Sequence, residues 1–149
     1  MDTYYYSYSE FINDIKKLST QIKKENFDTI VAIARGGLTI GHFLANSINL
    51  RRVFAINSIH YNNTNKLDTI DIFNIPNLNS SKKVLIVDDI ADSGETLSAV
   101  LNLLKEKYPN CSYKSAAIFY KDSSIIKPDY TIKHTNKWIE FFWEVDTIA

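Results

Sequence analysis

Val84 to Leu97 reads VLIVDDIADSGETL, and the parsing of this stretch decides the fold. Val84 to Asp88 opens with four apolar, mostly β-branched residues, the pattern of a strand buried on both faces of a parallel sheet. Polar residues and Gly94 follow, and Glu95 to Lys107 then has a helical pattern. A strand-loop-helix of this kind presents the free N–H groups and positive end of a helix to the loop, which suits a phosphate. Gly94 allows the backbone angles that turn several N–H groups toward one anion, and Ser93 and Thr96 add hydroxyl donors. Each hydrogen bond to a charged group contributes roughly 1.5–3 kcal/mol, so a few of them hold a phosphate without a lysine. The carboxylates Asp88, Asp89 and Asp92 would repel that phosphate unless they have other partners. Vicinal hydroxyls and hard cations are such partners. A phosphate, a diol and a metal together describe a phosphorylated sugar. Adjacent side chains in a strand point to opposite faces, so a ligand shared by Asp88 and Asp89 predicts that one of them leaves strand geometry. The competing reading makes the two acids caps for the next helix and Gly94 a simple turn. Neither a G-x-x-x-x-G-K-[ST] nor a G-x-G-x-x-G pattern is present.

Moving outward, Ser9 to Glu25 has apolar residues at helical spacing (Phe11, Ile12, Ile15, Leu18, Ile22), with Ser9 as the expected cap. Thr29 to Ala34, TIVAIA, is a second buried strand that breaks at Arg35-Gly36-Gly37 before a helix over Leu38 to Ser47. Arg52 to Ile59 is a further strand, and His60 to Lys66, HYNNTNK, is a polar candidate for a mobile loop. Leu67 to Ile75 is extended and Pro76 to Lys82 a turn region. Tyr113 to Tyr120 and Tyr130 to Lys133 are strands, and an aromatic segment, Trp138 to Trp143, follows. Strands alternating with helices imply an α/β fold with a mostly parallel sheet flanked by helices. Ligands in such folds sit beyond the carboxyl ends of the strands, where the loops after Ala34, Ile59 and Asp88 emerge.

The 149 residues, with no repeat or composition shift, indicate one domain over 1–149. Hydrophobic residues make up 45% and charged residues 23%, and 17 basic residues balance 17 acidic ones. A net charge of zero offers no global field for nucleic acid or an anionic membrane. No apolar run approaches the ~18 residues of a membrane span, and MDTYYYSYSE lacks the pattern of a signal peptide. The lone Cys111 has no partner for a disulfide or a zinc site. A cytoplasmic location is the expectation.

The run from Val84 through DD-I-A-D-S-G-x-T-L closely resembles the signature of the type I phosphoribosyltransferases, in the right strand-loop-helix context. The resemblance implies that fold, with a small hood formed by the C-terminal segment. It implies phosphoribosyl pyrophosphate as donor, Mg2+ as cofactor, and a nitrogen base that displaces pyrophosphate. Asp88 and Asp89 would hold the ribose hydroxyls and the metal, which of the two binds metal being open. The loop Ala91, Asp92, Ser93, Gly94, Glu95 and Thr96 would wrap the 5-phosphate. Asp92 would also take a proton from the base as catalytic residue, alongside a capping role. Ala34, Arg35, Gly36 and Gly37 resemble the pyrophosphate loop, which in the family can carry a non-proline cis peptide, here at Ala34-Arg35. Ser58 and Tyr61, in a segment running to Lys66, match the position of the family's flexible catalytic loop.

For the base, Lys121 aligns with the lysine that contacts the exocyclic oxygen of 6-oxopurines, with Lys127 as the competing candidate. An ammonium group only donates, so it suits a carbonyl and gains nothing from an amino group. Trp138 to Glu144, WIEFFWE, resembles the W-I-x-x-P-W-[DE] segment of bacterial xanthine-guanine phosphoribosyltransferases. Trp138 would stack on the purine, with Ile139 and Glu144 bordering its 2-position, while Trp143 belongs to the core. Phe142 stands where that family has proline. The resemblance runs from Phe27 to Asp146 and implies a homodimer or homotetramer. The alternatives are transfer to another base, or a non-catalytic regulator that senses phosphoribosyl pyrophosphate or nucleotides.

Overall fold

A computed structural model of the chain describes residues 2–61 and 69–145. The elements run β1 (Thr3–Tyr6), α1 (Tyr8–Lys23), β2 (Thr29–Ala34), α2 (Gly37–Ser47), β3 (Val53–Tyr61), β4 (Thr69–Phe73), β5 (Lys83–Ala91), α3 (Glu95–Lys107), β6 (Ser112–Tyr120), β7 (Tyr130–His134) and β8 (Trp138–Phe141). Six strands form one sheet in the order β4-β3-β2-β5-β6-β7. All its pairings are parallel except β3 with β4.

The central strands β2 and β5 are apolar on both faces because both faces are covered. Leu85 and Val87 of β5 join Ile30 and Ala32 in a core closed by α1 and α2. Val84 and Ile86 join Val31 and Ile33 in a second core under α3, where Leu97, Val100, Leu101 and Leu104 face inward. Leu104 is fully buried, and truncating such a side chain to alanine costs about 2–5 kcal/mol.

Helix α1 is capped two residues earlier than Ser9 suggests. Ser7 is its cap: the Glu10 N–H donates to Ser7 Oγ at 3.2 Å, and the Ser7 N–H donates to Glu10 Oε2 at 3.1 Å. This reciprocal pair satisfies two free donors at once. The Ser-x-x-Glu spacing was available in the sequence as a signal for it.

The hood differs from the expectation in composition. It is a separate two-stranded sheet in which β1, from the start of the chain, pairs in parallel with β8, from Thr3 beside Trp138 to Tyr6 beside Phe141. Residues alternate along β8, with Trp138 and Glu140 exposed and Ile139 and Phe141 buried. Tyr6 lies fully buried, edge-on to Phe119, Phe141 and Phe11, and so plugs the hood onto the core. Among the described residues no helix is long and apolar enough to cross a membrane.

Candidate active site

The loops that leave β2 and β5, and the end of β3, meet at the carboxyl edge of the parallel sheet, as the topology requires. The loop after β5 turns sharply into α3. Gly94 occupies the helix cap with φ 80°, a left-handed conformation that only glycine adopts without strain. The Glu95 N–H donates to Ser93 Oγ at 3.2 Å. The Ile125 N–H donates to the Ser93 carbonyl at 2.8 Å, which ties the loop to the segment after β6. A cavity of about 350 Å3 opens here, lined by Asp88, Ala91, Asp92, Ser93, Gly94, Thr96 and His60. His60, from the end of β3, places Nε2 3.7 Å from Glu95 Oε2 at the start of α3. Sequence reasoning assigned no site role to His60; its only signal was a polar residue at the carboxyl end of a parallel strand.

Strand β5 does not end at Asp88, nor does either acid leave it; the strand continues through Ala91. Its hydrogen-bonded pairing with β6 extends to Ile90 and Ala91, and this pairing holds the acids in extended geometry. Asp88 therefore lines the cavity of the phosphate-type loop. Asp89 lines a different cavity, of about 760 Å3, with Arg35, Gly36, Trp143, Glu144 and Val145. The two carboxyls still feel each other. Burial first, then the charge and hydrogen bonding of Asp89, push Asp88 well above the usual carboxylate range. Asp89 is raised too, chiefly by burial.

The loop after β2 meets Asp89 directly. The Ala34–Arg35 peptide is cis, and the Leu38 N–H donates to the Arg35 carbonyl at 3.0 Å. A Cβ at Gly36 would stand 2.5 Å from Asp89 Oδ2 and 2.6 Å from its Cγ. Glycine at this position is what lets the backbone lie against the carboxylate. Trp143 stacks on Phe141 at 4.6 Å between ring centroids, as a core residue should, but it also lines this cavity.

On the side where the base is expected, the Lys121 N–H donates to the Ala91 carbonyl at 3.0 Å. Lys121 Nζ then lies 3.2 Å from Asp92 Oδ1. Lys127 instead sits with Nζ 5.0 Å above the Tyr120 ring, which separates the two candidates. Trp138 is 55% exposed at the start of β8. Ile139 turns its side chain into the core, leaving only its backbone to border a ligand. Glu144 closes a turn, its N–H donating to the Phe141 carbonyl at 2.9 Å.

Ser58 and Tyr61 are not loop residues: both belong to β3, opposite Ile72 and Thr69 of β4. Antiparallel pairing with β4 extends the strand beyond the Ile59 boundary suggested by sequence. The rest of the expected flexible loop falls largely on 62–68, outside the described residues. Among the described residues, no three or more His, Cys, Asp or Glu converge on a common metal position. The half-buried pair Asp88 and Asp89 nevertheless fits a hard cation that brings most of its own oxygen ligands, because neutralising either acid relieves the mutual repulsion.

Residues 3–147 match the phosphoribosyl transferase domain, and the chain belongs to that family. A xanthine-guanine phosphoribosyltransferase of Idiomarina loihiensis is 23% identical over 146 residues, which is 95% of this chain and 87% of the relative. Among solved structures, the Helicobacter pylori xanthine-guanine-hypoxanthine phosphoribosyltransferase superimposes with a TM-score of 0.90 at 39% identity, covering 97% of this chain and 95% of its own. A purine phosphoribosyltransferase from Pyrococcus horikoshii gives 0.85 at 28% identity, over 100% and 98% of the two chains.

Proposed function

We propose that this enzyme transfers the 5-phosphoribosyl group from phosphoribosyl pyrophosphate to a 6-oxopurine, namely guanine, xanthine or hypoxanthine. The products are pyrophosphate and the nucleoside 5'-monophosphate. The observation that carries this reading is the contact between Lys121 and Asp92, 3.2 Å apart, at the rim of the phosphate-type loop. One group can donate to O6 of the base while the other accepts a proton at N7, two heteroatoms that lie side by side on one edge of a 6-oxopurine. The similarity to the purine enzymes of Helicobacter pylori and Pyrococcus horikoshii supports it.

In this reading the loop from Ala91 to Thr96 holds the 5-phosphate through backbone N–H groups and the Ser93 and Thr96 hydroxyls. The sugar spans the carboxyl edge of β5 between the two cavities, so that Asp88 reaches its diol from the phosphate side and Asp89 from the pyrophosphate side. Ala34, Arg35, Gly36 and Gly37 hold the pyrophosphate, with the guanidinium suited to bidentate contact. Bound Mg2+ would offset the charge of the diphosphate beside Asp88 and Asp89. As the bond from C1' to the pyrophosphate oxygen breaks and the bond to the purine nitrogen forms, anionic groups around the sugar favour the developing positive charge. Asp92 takes the proton the purine gives up. Trp138 stacks on the base, and the backbone at Ile139 and Glu144 borders its 2-position. Ser58 and Tyr61 flank the reactants from the end of β3. The protein acts in the cytoplasm as a homodimer or homotetramer in purine salvage.

The test is turnover with Mg2+, phosphoribosyl pyrophosphate and, in turn, guanine, xanthine, hypoxanthine, adenine and orotate. Turnover confined to the 6-oxopurines is expected. Turnover of adenine or orotate alone would sink the base assignment, and no turnover of any base would point to a regulator.

A further inference from the structure

One buried carboxylate lies well away from the loops. Asp14, on α1, is only 2% exposed. The Tyr6 hydroxyl donates to its Oδ2 at 2.5 Å, and Lys133 Nζ approaches the same oxygen at 3.3 Å. Lys133 Nζ also lies 5.3 Å from the centre of the Tyr6 ring. Three elements, α1, β1 and β7, thus converge on a single oxygen. Asp14 is buried while Lys133 is 32% exposed, and such a pair is seldom a net gain in stability, because desolvating the carboxylate offsets the attraction. What such a contact does supply is geometry: the hydroxyl and the ammonium each have one place to be.

That geometry is passed to the hood. Tyr6 ends β1, and its carbonyl accepts from the Phe142 N–H at 3.0 Å. At the other end of the strand, the Trp138 N–H donates to the Asp2 carbonyl at 3.1 Å. Tyr4 adds a second tie, its hydroxyl donating to Glu10 of α1. The ring of Trp138 and the turn at Glu144 therefore take their height above the sheet from β1, and β1 takes its position from α1. The loops proposed to hold the donor are carried by β2, β5, α2 and α3, elements that bear none of these three groups, and the hood reaches that side only where Trp143 and Glu144 share a cavity with Arg35, Gly36 and Asp89.

We propose that Asp14 is a positioning residue for the acceptor base. By gripping Tyr6 Oη and Lys133 Nζ it fixes the β1–β8 hood over the sheet, and so sets affinity for the base far more than affinity for the donor. This rests on the phosphoribosyl-transfer reading above. Asp14 touches neither substrate; it works through Tyr6.

The variants are Tyr6→Phe, which removes one oxygen and keeps the packing, Asp14→Asn and Lys133→Met. Steady-state kinetics give kcat and both KM values, and calorimetry with Mg2+ and phosphoribosyl pyrophosphate alone gives the donor Kd. For Tyr6→Phe the KM for guanine should rise about tenfold while the donor KM and Kd stay within about twofold. Asp14→Asn should show the same split, larger in size. Leu78→Ala, buried in the opposite core and outside both α3 and the hood, serves as a control of comparable or greater destabilisation and should leave the ratio of the two KM values unchanged. If Tyr6→Phe lowers the melting temperature but moves both KM values together or neither, the hood contact is only structural and the proposal fails. Should Asp14→Asn not fold, Tyr6→Phe still decides. Absence of turnover in the parent enzyme strikes the functional reading, whereas a normal parent with an unshifted Tyr6→Phe strikes this proposal alone.

Discussion

Lys121 Nζ and Asp92 Oδ1 are 3.2 Å apart, although the two residues come from different strand-loop junctions, after β6 and after β5. Their exposure is unequal. The Lys121 side chain is 17% exposed and that of Asp92 57%, so the ammonium is fixed while the carboxylate faces outward. A proton acceptor has to be accessible to the group it serves, and Asp92 is.

Asp92→Asn should therefore lower kcat about 10²–10⁴-fold, the usual contribution of a general base. The KM for phosphoribosyl pyrophosphate should change little, since the loop N–H groups and hydroxyls that would hold the phosphate remain. Single-turnover and steady-state kinetics distinguish the two effects; equal losses in kcat and donor affinity would make Asp92 a binding or structural residue.

Gly36→Ala tests the contact between the loop after β2 and Asp89. The added methyl would meet the Asp89 carboxylate at 2.5–2.7 Å, so either the loop or the acid has to move. Donor Kd should weaken at least about tenfold, because a shift of an ångström in a positioned group has effects of this order or more. The melting temperature should fall only modestly. An unchanged donor Kd would mean that Gly36 and Asp89 do not share a ligand.

The pH dependence of stability follows from Asp88. Burial and the neighbouring Asp89 raise its pKa in the folded protein, so the folded state holds a proton that the unfolded chain has already released. The stability this contributes is fully present below the ordinary aspartate pKa and is lost as pH rises through the raised folded value. Asp88→Asn mimics the protonated form. Without ligands it should melt higher than the parent at neutral pH, with the difference shrinking as pH falls toward about 4. Thermal unfolding across that range measures this, and a variant no more stable than the parent at neutral pH would contradict it.

Phe142 offers a test against its relatives. Its N–H donates to the Tyr6 carbonyl at 3.0 Å, and its ring packs against Tyr8 and Phe11. Proline, the residue in the segment it resembles, has no N–H to give. Phe142→Pro should cost about 0.5–1.5 kcal/mol for the hydrogen bond alone, with more lost from the ring packing. It should also change the ratio of kcat/KM among guanine, xanthine and hypoxanthine, because the turn at Glu144 follows directly. Unaltered ratios would separate this turn from the 2-position of the base.

The strands and turns behind the proposed donor site were legible because their signals are local. VLIVDD and TIVAIA are continuous apolar runs, and Gly94 and the Arg35-Gly36-Gly37 break sit where the chain must turn. The continuation of β5 past Asp88 was not legible, since an acidic pair gives no hint that pairing with β6 persists. The hood was half legible. Four residues, TYYY, have neither a helical nor a strand period that stands out, and the partner of β1 lies at the far end of the sequence. Tyr6 looked like one tyrosine among several; only folding shows it to be fully buried and bonded to Asp14.

The pairing of β1 with β8 also orders events on a growing chain. The loops proposed to hold the donor, between Ala34 and Thr96, can be synthesised, and their central strands paired, while β8 is still inside the ribosome. Throughout that interval the inner face of β1, Tyr4 and Tyr6, has no strand beside it. Closing the longest loop in the chain carries the largest entropic cost, so the hood is expected to form last. The newborn protein would thus be able to hold its sugar phosphate before it can hold a base.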